Sequence, residues 1–159
     1  EMSGLQSVPR KDHVQLAPML EEIFTDLAPL AEKRGITLER EGDGTVTGSD
    51  ALLYRMLFNL TENAVKYDRP GETVRVSVTE EGERLVVRVA DTGCGIPERY
   101  RESIFQPFFR VDKSRSREYG GVGLGLALVW KIAELHGGSV WVEESTEAGT
   151  TMAAALPLR

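Results

Sequence analysis

The sequence predicts a single α/β sandwich domain. The chain has 159 residues, within the range of about 100–200 that is usual for one domain. Segments with apolar residues at helical spacing occur together with segments in which apolar and polar residues alternate, and such a mixture is typical of layered α/β folds. Apolar residues make up 41% of the chain and charged residues 28%, which is typical of a globular rather than a disordered chain.

The first predicted elements are a strand, a helix and two further strands. Val14–Leu16 is expected to form a short strand after a frayed segment that ends at Asp12. Apolar residues then recur along one helix face, at Leu20, Ile23, Leu27, Leu30 and Ala31. Gly35 lies where glycine commonly ends a helix. Ile36–Arg40 and Thr45–Thr47 are predicted strands, separated by a Gly-Asp-Gly turn.

A second helix and a hairpin follow. Ser49 is a favoured N-cap for a helix that runs to about Tyr67 and is ended by Arg69–Gly71, which contains a proline. Valines alternate with polar residues over Val74–Val78, and apolar residues alternate again over Leu85–Val89. This pattern predicts an antiparallel hairpin with one buried face.

The last part of the chain combines a long irregular segment with a helix and two strands. Asp91–Gly121 is rich in glycine, proline and charge, and only Glu98–Ile104 is expected to form a short helix within it. A segment of this kind in a compact domain is usually functional. Gly123–His136 predicts a strongly apolar helix, and Val140–Val142 and Thr151–Leu156 predict the final strands.

Composition excludes several classes of function. The net charge of −6 and the pI near 5.1 disfavour a nucleic-acid-binding protein. Cys94 is the only cysteine, which rules out an internal disulfide and a cysteine-rich zinc site. Apolar runs are far shorter than the ~20 residues of a membrane span. We therefore expect a cytosolic-type domain, and its first residue, Glu1, suggests a piece of a longer protein.

The middle helix has a polar face. At about 100° per residue, Asn59, Glu62, Asn63 and Lys66 lie on one side of the helix, roughly opposite its apolar residues. Asparagine oxygens suit Mg²⁺, and a lysine suits phosphate. The alternative is an ordinary solvated helix face, which is the more common reason for such a pattern.

Two glycine-rich segments flank the irregular region. Asp91–Pro97 directly follows a strand, and its glycines would allow a sharp turn and the close approach of a planar ligand; the alternative is a common turn signal. Gly120–Gly125 enters a helix whose N-terminal amides would suit an anion. This second segment lacks the context of a dinucleotide fingerprint or a P-loop, and close helix packing is its alternative explanation.

Aromatic and basic residues lie between the two glycine segments. Three phenylalanines occur in Ile104–Arg110, and the cations Arg110, Lys113, Arg115 and Arg117 follow closely. The phenylalanines suggest an apolar anchor, and the cations suit a polyphosphate chain. A groove for single-stranded nucleic acid is a competing interpretation that the net charge disfavours, and a solvated loop is another.

The order and spacing of these motifs resemble the N, G1, F, G2 and G3 boxes of sensor histidine kinases. The matching segments are Asn59–Tyr67, Asp91–Gly95, Phe105–Arg110, Gly121–Gly125 and Gly149–Thr151. The resemblance implies the ATP-binding catalytic domain of a two-component kinase with the Bergerat fold. That fold is a mixed, mainly antiparallel sheet covered on one face by three helices, with a flexible ATP lid. Residues 1–12 would be a linker or the end of a preceding dimerisation domain, and residues 13–159 the catalytic domain.

The resemblance also implies roles for the matched residues. The implied catalytic residues are Asn59, Glu62, Asn63 and Arg110, with Asn63 and Asn59 as Mg²⁺ ligands. The implied ATP-binding residues are Asn59, Asn63, Lys66, Tyr67, Asp91, Gly93, Gly95, Ile96, Phe105, Arg110, Gly121, Val122, Gly123, Leu124, Gly125, Thr150 and Thr151. Within this set Asp91 would recognise the adenine amine, and Arg110 would reach the phosphates at the reacting end.

Some features depart from the resemblance. Val122 stands where the family very often has threonine, so a side-chain hydroxyl is missing there. His13 and His136 lack the His-acid context of a phosphoacceptor, and a structural or solvated role is expected for both. The acceptor histidine would therefore belong to the helical dimerisation domain of the same kinase, outside this chain.

The function expected from the resemblance is transfer of the γ-phosphate of Mg·ATP to that histidine. The alternatives are an ATP-hydrolysing relative such as gyrase B or MutL, a serine-kinase relative, and a nucleotide-binding docking domain without catalysis. Hydrolysing relatives have a glutamate where this chain has Asn59, which disfavours hydrolysis. A response regulator would be an indirect partner, and nucleic acid would not be one. We also expect a monomeric, cytoplasmic domain of a kinase whose parent chain lies in the cell membrane.

Overall fold

The computed structural model describes residues 12–93, 103–105, 122–146 and 148–158. Most of the helix expected over Glu98–Ile104 lies outside these residues. Its end is described, and Ser103–Phe105 forms a single turn of 3₁₀ helix.

The described residues contain a five-stranded sheet and a separate two-stranded sheet. The strands are β1 (Asp12–Gln15), β2 (Thr37–Glu41), β3 (Thr45–Gly48), β4 (Thr73–Glu81), β5 (Arg84–Asp91), β6 (Ser139–Thr146) and β7 (Gly149–Pro157). The larger sheet has the order β2-β4-β5-β7-β6; β2 and β4 are parallel, and its other pairs are antiparallel. Strands β1 and β3 pair antiparallel. The expected mixed, mainly antiparallel sheet is confirmed.

Helices cover one face of the larger sheet. They are α1 (Leu16–Arg34), α2 (Asp50–Tyr67) and α3 (Val122–Leu135). Alternate residues of β5, Leu85, Val87 and Val89, join buried residues of these helices in the main core. The opposite face carries a small cluster formed by Val86, Ala153, Ala155 and Trp141. The strand alternation in the sequence therefore predicted the buried face of the sheet. None of the helices in the described residues is long and apolar enough to cross a membrane.

The predicted ends of the first two helices are largely confirmed. The Ser49 hydroxyl accepts a hydrogen bond from the Leu52 amide at 3.2 Å and caps α2. Gly35 ends α1 with φ 71°, a left-handed conformation that glycine adopts without the steric cost of a Cβ. The first strand differs from the prediction at both ends. It begins at Asp12, which was expected to end a frayed segment, and it ends at Gln15, because Leu16 belongs to α1.

The start of α1 explains where β1 ends. Gln15 stands at the N-cap but makes no side-chain cap, and Asp43 from the β2–β3 turn takes over that role. Its carboxylate accepts hydrogen bonds from the Ala17 amide at 2.8 Å and the Gln15 side chain at 2.7 Å. The Leu16 amide donates to the Gly44 carbonyl at 2.9 Å. A turn 26 residues away in sequence from Ala17 thus fixes where the helix begins.

We predict that Asp43→Ala destabilises the domain by about 1 kcal/mol, the typical cost of a lost helix cap. Hydrogen bonds from Gln15 and Ala17 lower the pKa of Asp43. Because the folded pKa is the lower one, this stabilisation is present above the unfolded pKa of about 3.9 and is lost as pH falls through the folded value. Urea unfolding of the wild type, Asp43→Ala and Asp43→Asn at pH 7 and near pH 3 tests this. Asn keeps the acceptor oxygen, so a loss as large as that of Ala would contradict capping.

Candidate nucleotide site

Helix α2 supports the polar residues of the candidate site because its other side is fully packed. Its buried residues are Leu53, Met56, Leu57, Leu60, Thr61, Ala64 and Val65. The residues Asn59, Glu62 and Asn63 are partly exposed, and Lys66 is exposed. The helical-face prediction is therefore confirmed for all four polar residues. The Lys66 Nζ lies 3.8 Å from the Glu62 Oε1, an exposed pair of small energetic value.

Asn63 has an unsatisfied amide. Its Nδ2 is buried and has no hydrogen-bond partner in the structure. A buried polar group without a partner is rare in folded proteins and points to a missing group such as water, an ion or a ligand. An asparagine can offer its oxygen to Mg²⁺ and its nitrogen to a phosphate oxygen. The donor chemistry of Asn63 therefore fits a Mg²⁺–phosphate group. The described residues contain no cluster of three His, Cys, Asp or Glu that could hold a metal ion alone.

Asn59 lies one helical turn before Asn63 and lines an open groove between α1 and α2. The groove has a volume of about 580 Å³, and the described residues that line it are Asp26, Ala51, Tyr54, Arg55, Phe58 and Asn59. Tyr54 stacks on Phe58 with ring centroids 5.9 Å apart, and its hydroxyl donates to the Asp26 carboxylate. Burial and this neighbouring carboxylate raise the pKa of Tyr54 to about 12. The two asparagines thus share a helix face, but of the two Asn59 is the one that lines this groove.

Asp91 is the last residue of β5 and is half-buried beside β7. Its Cα partner across the sheet is Thr150, and its Oδ1 accepts a hydrogen bond from the Gly93 amide at 2.8 Å. Burial raises the pKa of Asp91 to about 6; the charge of Asp68 also raises it, whereas the hydrogen bonds from the Gly93 and Thr150 amides lower it. One carboxylate oxygen is thus held by the turn. A perturbed carboxyl at a strand end is a functional-site candidate.

The sequence pattern indicates no role for Asp68, although it lies beside Asp91 in the structure. It follows the last residue of α2, is 2% exposed, and accepts hydrogen bonds at Oδ1 from the Thr92 amide and hydroxyl at 3.1 and 2.7 Å. Its Oδ2 is buried and has no hydrogen-bond partner within the described part of the chain. The only sequence signal was a carboxylate at a helix end, and a partner 24 residues away is not visible in a local pattern.

Two glycines bring the surrounding backbones into direct contact. A Cβ on Gly93 would lie 2.0 Å from the Tyr67 carbonyl oxygen, and a Cβ on Gly149 would lie 2.0 Å from the Asp91 carbonyl oxygen. The ends of α2 and β5 and the start of β7 therefore meet at one place. The sequence assigned Gly93 to the approach of a ligand, and the structure adds a reason from the protein itself, the close carbonyl of Tyr67.

The two threonines of the predicted base pocket have different environments. Thr150 is buried, and its hydroxyl lies 2.9 Å from that of Ser145. Thr151 is half-buried on the next position of β7, where its strand partners are Ala90 and Glu144. The hydroxyl of Thr150 is thus engaged within the sheet, and its backbone is the part that meets Asp91.

Phe105 lies in the core of the domain. It is 6% exposed and contacts Trp130 of α3, with ring centroids 5.7 Å apart; Trp130 itself is 47% exposed. The expectation of an apolar anchor agrees with this placement. Gly95, Ile96, Arg110 and Gly121 lie outside the described residues, as do the side chains of Val122 and Leu124. Gly123 and Gly125 belong to the first turn of α3, which begins at Val122.

The structural or solvated role expected for the two histidines agrees with their positions. His136 follows α3; its Nδ1 lies 2.8 Å from the Ile132 carbonyl and its Nε2 accepts a hydrogen bond from the Ser49 amide at 3.0 Å. This assigns the proton to Nδ1 and ties the end of α3 to the start of α2. His13 is an exposed residue of β1, with its Nδ1 3.4 Å from the Thr47 hydroxyl.

Known proteins resemble the chain in both sequence and structure. The family described as Histidine kinase-, DNA gyrase B-, and HSP90-like ATPase matches residues 48–159. The circadian input-output histidine kinase CikA of Synechococcus elongatus is 45% identical over 105 residues, covering 66% of this chain and 14% of CikA. The sensor-like histidine kinase SenX3 of Mycolicibacterium smegmatis is 32% identical over 158 residues, covering 98% of this chain and 41% of SenX3.

A solved protein structure has the same fold as this chain. Full-length ShkA in complex with AMPPNP superposes with a TM-score of 0.84 and 26% identity, covering 98% of this chain and 33% of ShkA. The chain therefore spans less than half the length of these relatives. It belongs to the histidine kinase-, DNA gyrase B- and HSP90-like ATPase family and has the Bergerat fold of sensor histidine kinase catalytic domains.

Proposed function

We propose that this chain binds Mg·ATP and directs its γ-phosphate to a histidine on a separate dimerisation domain of a two-component kinase. The observation that carries the proposal is the half-buried Asp91 carboxylate, held where α2, β5 and β7 meet. Residues 13–159 form the catalytic domain in this proposal, and residues 1–12 are a linker or the end of the preceding domain.

Asp91 provides adenine recognition. The Gly93 amide donates to Oδ1 of Asp91, and in this proposal Oδ2 accepts a hydrogen bond from the 6-amino group of the base. Guanine presents an oxygen at that position, so two acceptors would face each other without a proton between them. A hydrogen bond to a charged group contributes about 1.5–3 kcal/mol.

The polar face of α2 serves the phosphates. Asn63, with Asn59 beside it, would hold Mg²⁺, which supplies charge neutralisation on the phosphate oxygens when it is bound. Lys66 adds a positive charge one turn further along, and Tyr67 contacts the sugar or base side. In this proposal Arg110 and Gly121–Gly125 contact the phosphates. Gly123 and Gly125 belong to the first turn of α3, and the free amides at a helix N-terminus favour anions.

The transfer step needs little covalent chemistry from this chain. The bond between the γ-phosphorus and its bridging oxygen breaks, and a bond from that phosphorus to a ring nitrogen of the partner histidine forms. The ring proton passes to a base of the partner domain, and ADP leaves. This chain contributes positioning and charge neutralisation, which are the main terms in phosphoryl transfer.

Hydrolysis of ATP by this chain alone is the less favoured function. The position that carries a glutamate in hydrolysing relatives is Asn59, which cannot act as a base. Glu62 is displaced around the helix and paired with Lys66. The structure therefore presents no free carboxylate at that position of α2.

The partners and the location of the domain are also part of the proposal. CikA and SenX3 are named as histidine kinases, so we propose that the dimerisation domain of the same kinase is the direct partner. A response regulator is then the indirect partner that receives the phosphate. The parent kinase is proposed to lie in the cell membrane, with this domain in the cytoplasm.

We predict that the chain alone binds ATP without labelling itself. His136 is fixed by Ser49 and Ile132, and His13 belongs to a strand, so neither histidine is placed as an acceptor. Incubation with radiolabelled Mg·ATP is the test, with and without the helical phosphoacceptor domain of the same kinase. We expect acid-labile, base-stable label on the added domain, at a rate that rises with its concentration. Stoichiometric acid-labile label on the isolated chain would contradict the proposal.

A further inference from the structure

The side chain of Asp68 attaches the turn that follows β5 to the end of α2. Asp68 Oδ1 accepts three hydrogen bonds: from the Thr92 amide at 3.1 Å, from the Thr92 hydroxyl at 2.7 Å and from the Arg69 amide at 2.8 Å. Thr92 lies between Asp91 and Gly93, the two residues whose hydrogen bond shapes the turn. Asp68 therefore fixes the middle of the segment that carries the Asp91 carboxylate.

The position of Asp68 is itself well fixed. Arg34 of α1 donates to the Asp68 carbonyl at 2.8 Å and to the Val65 carbonyl at 2.9 Å, so its guanidinium holds the last turn of α2. The Asp68 amide donates to the Ala64 carbonyl at 3.0 Å. The carboxylate thus projects from a rigid helix end, and a site built on such an element is better defined than one on a loop alone.

Asp68 is also costly to the fold. Its side chain is almost completely buried, and none of the residues described in the structure donates a hydrogen bond to its Oδ2. A buried carboxylate oxygen without a donor destabilises the folded state. The negative charge also disfavours ionisation of Asp91, the neighbouring carboxyl. The three hydrogen bonds at Oδ1 offset this cost, and two of them come from Thr92 in the Asp91 turn.

We propose that Asp68 is a positioning residue for adenine recognition, which acts through Thr92 to orient the Asp91 carboxylate towards the 6-amino group of the base. The inference rests on the proposed function, because it requires Asp91 to contact adenine. Asp68 itself is buried and does not touch the nucleotide in this proposal.

The test compares ATP with purine riboside triphosphate, which lacks the 6-amino group. The affinity for ATP divided by the affinity for purine riboside triphosphate measures the contribution of the contact with the 6-amino group. We expect Asp68→Ala to reduce this ratio about tenfold, with the loss falling on ATP, because coupling between neighbouring residues commonly has this size. Asp68→Asn keeps an oxygen that accepts from Thr92, and we expect it to retain most of the ratio. Thr92→Val removes only the hydroxyl bond and should fall between them.

Matched variants separate positioning from a structural effect. Asp50→Ala removes an exposed carboxylate from the first turn of the same helix and should leave the ratio unchanged. In an Asp91→Asn background, Asp68→Ala should no longer alter the ratio. A purely structural role would weaken both nucleotides equally, and this result would overturn the inference.

The outcomes also distinguish the two proposals. If the wild type prefers ATP over purine riboside triphosphate, but Asp68→Ala and Thr92→Val keep that preference, the inference about Asp68 is wrong and the adenine site stands. If the wild type has no such preference, the adenine role of Asp91 fails, and the role of Asp68 fails with it. If Asp68→Ala does not fold, Thr92→Val decides the question: it should lower the preference for ATP by itself and have no effect on it in the Asp91→Asn background.

Discussion

Replacing Asn63 with alanine is expected to weaken Mg·ATP binding by about tenfold to a hundredfold or more. Removal of residues that only support a metal ligand typically costs 10–100-fold in metal affinity, so the loss of a ligand should cost at least as much. Asn63 lies on the side of α2 away from the core, and its Nδ2 has no hydrogen-bond partner among the residues that the structure describes. Calorimetric titration of the variant with ATP in the presence of Mg²⁺ measures the effect.

The same titration in excess EDTA provides the control. Without Mg²⁺ the wild type should bind ATP weakly, and its difference from Asn63→Ala should become much smaller, because only the contact of the Asn63 amide with a phosphate oxygen then remains to be lost. Circular dichroism and urea unfolding establish that the variant is folded. Equal Mg·ATP affinity in a folded Asn63→Ala variant would remove Asn63 from the metal site.

Gly149→Ala is expected to destabilise the domain by about 2–4 kcal/mol, the combined cost of a strained backbone conformation and of overpacking. Gly149 has φ 142°, and a Cβ there would lie 2.0 Å from the Asp91 carbonyl oxygen and 2.7 Å from the Thr92 Cα. Since these atoms belong to the candidate adenine site, the separation of β5 from β7 should also weaken ATP binding. Urea unfolding and nucleotide titration measure the two effects.

Gly82→Ala is the matched control for this substitution. Gly82 also has a positive φ, 65°, but a Cβ there has no neighbour within 4 Å. We expect it to cost about 1 kcal/mol from backbone conformation alone, with ATP affinity unchanged. If Gly149→Ala destabilised the domain no more than Gly82→Ala does, the close contact between β7 and the Asp91 turn would not be the reason for glycine at position 149.

Elements with a strong local pattern were predictable from the sequence. The alternating valines of β4 and β5 predicted both the hairpin and its buried face, because side chains alternate between the two faces of a strand. Helical spacing likewise placed Asn59, Asn63 and Lys66 on the side of α2 away from the core. The candidate site on this helix follows from periodicity, whereas its assignment to ATP came from the order of the motifs.

Features that depend on distant partners were not predictable. Asp43 starts α1 from a turn between two strands, so the sequence around Leu16 could not show that the strand ends at Gln15. The hydrogen bonds between Asp68 and Thr92 join residues 24 positions apart. The requirement for glycine at position 93 comes partly from the Tyr67 carbonyl, an atom of another element. In each case tertiary contact determined the role of a residue whose own local pattern was ordinary.

The preference of the wild type for adenine over guanine shows whether Asp91 recognises the base. Titration of the wild type and Asp91→Asn with Mg·ATP and Mg·GTP should give a clear preference of the wild type for ATP. Asp91→Asn should weaken ATP binding by roughly one to two decades, since a hydrogen bond to a charged group contributes about 1.5–3 kcal/mol and each 1.4 kcal/mol corresponds to tenfold. Equal affinity of the wild type for ATP and GTP would contradict an adenine site at Asp91.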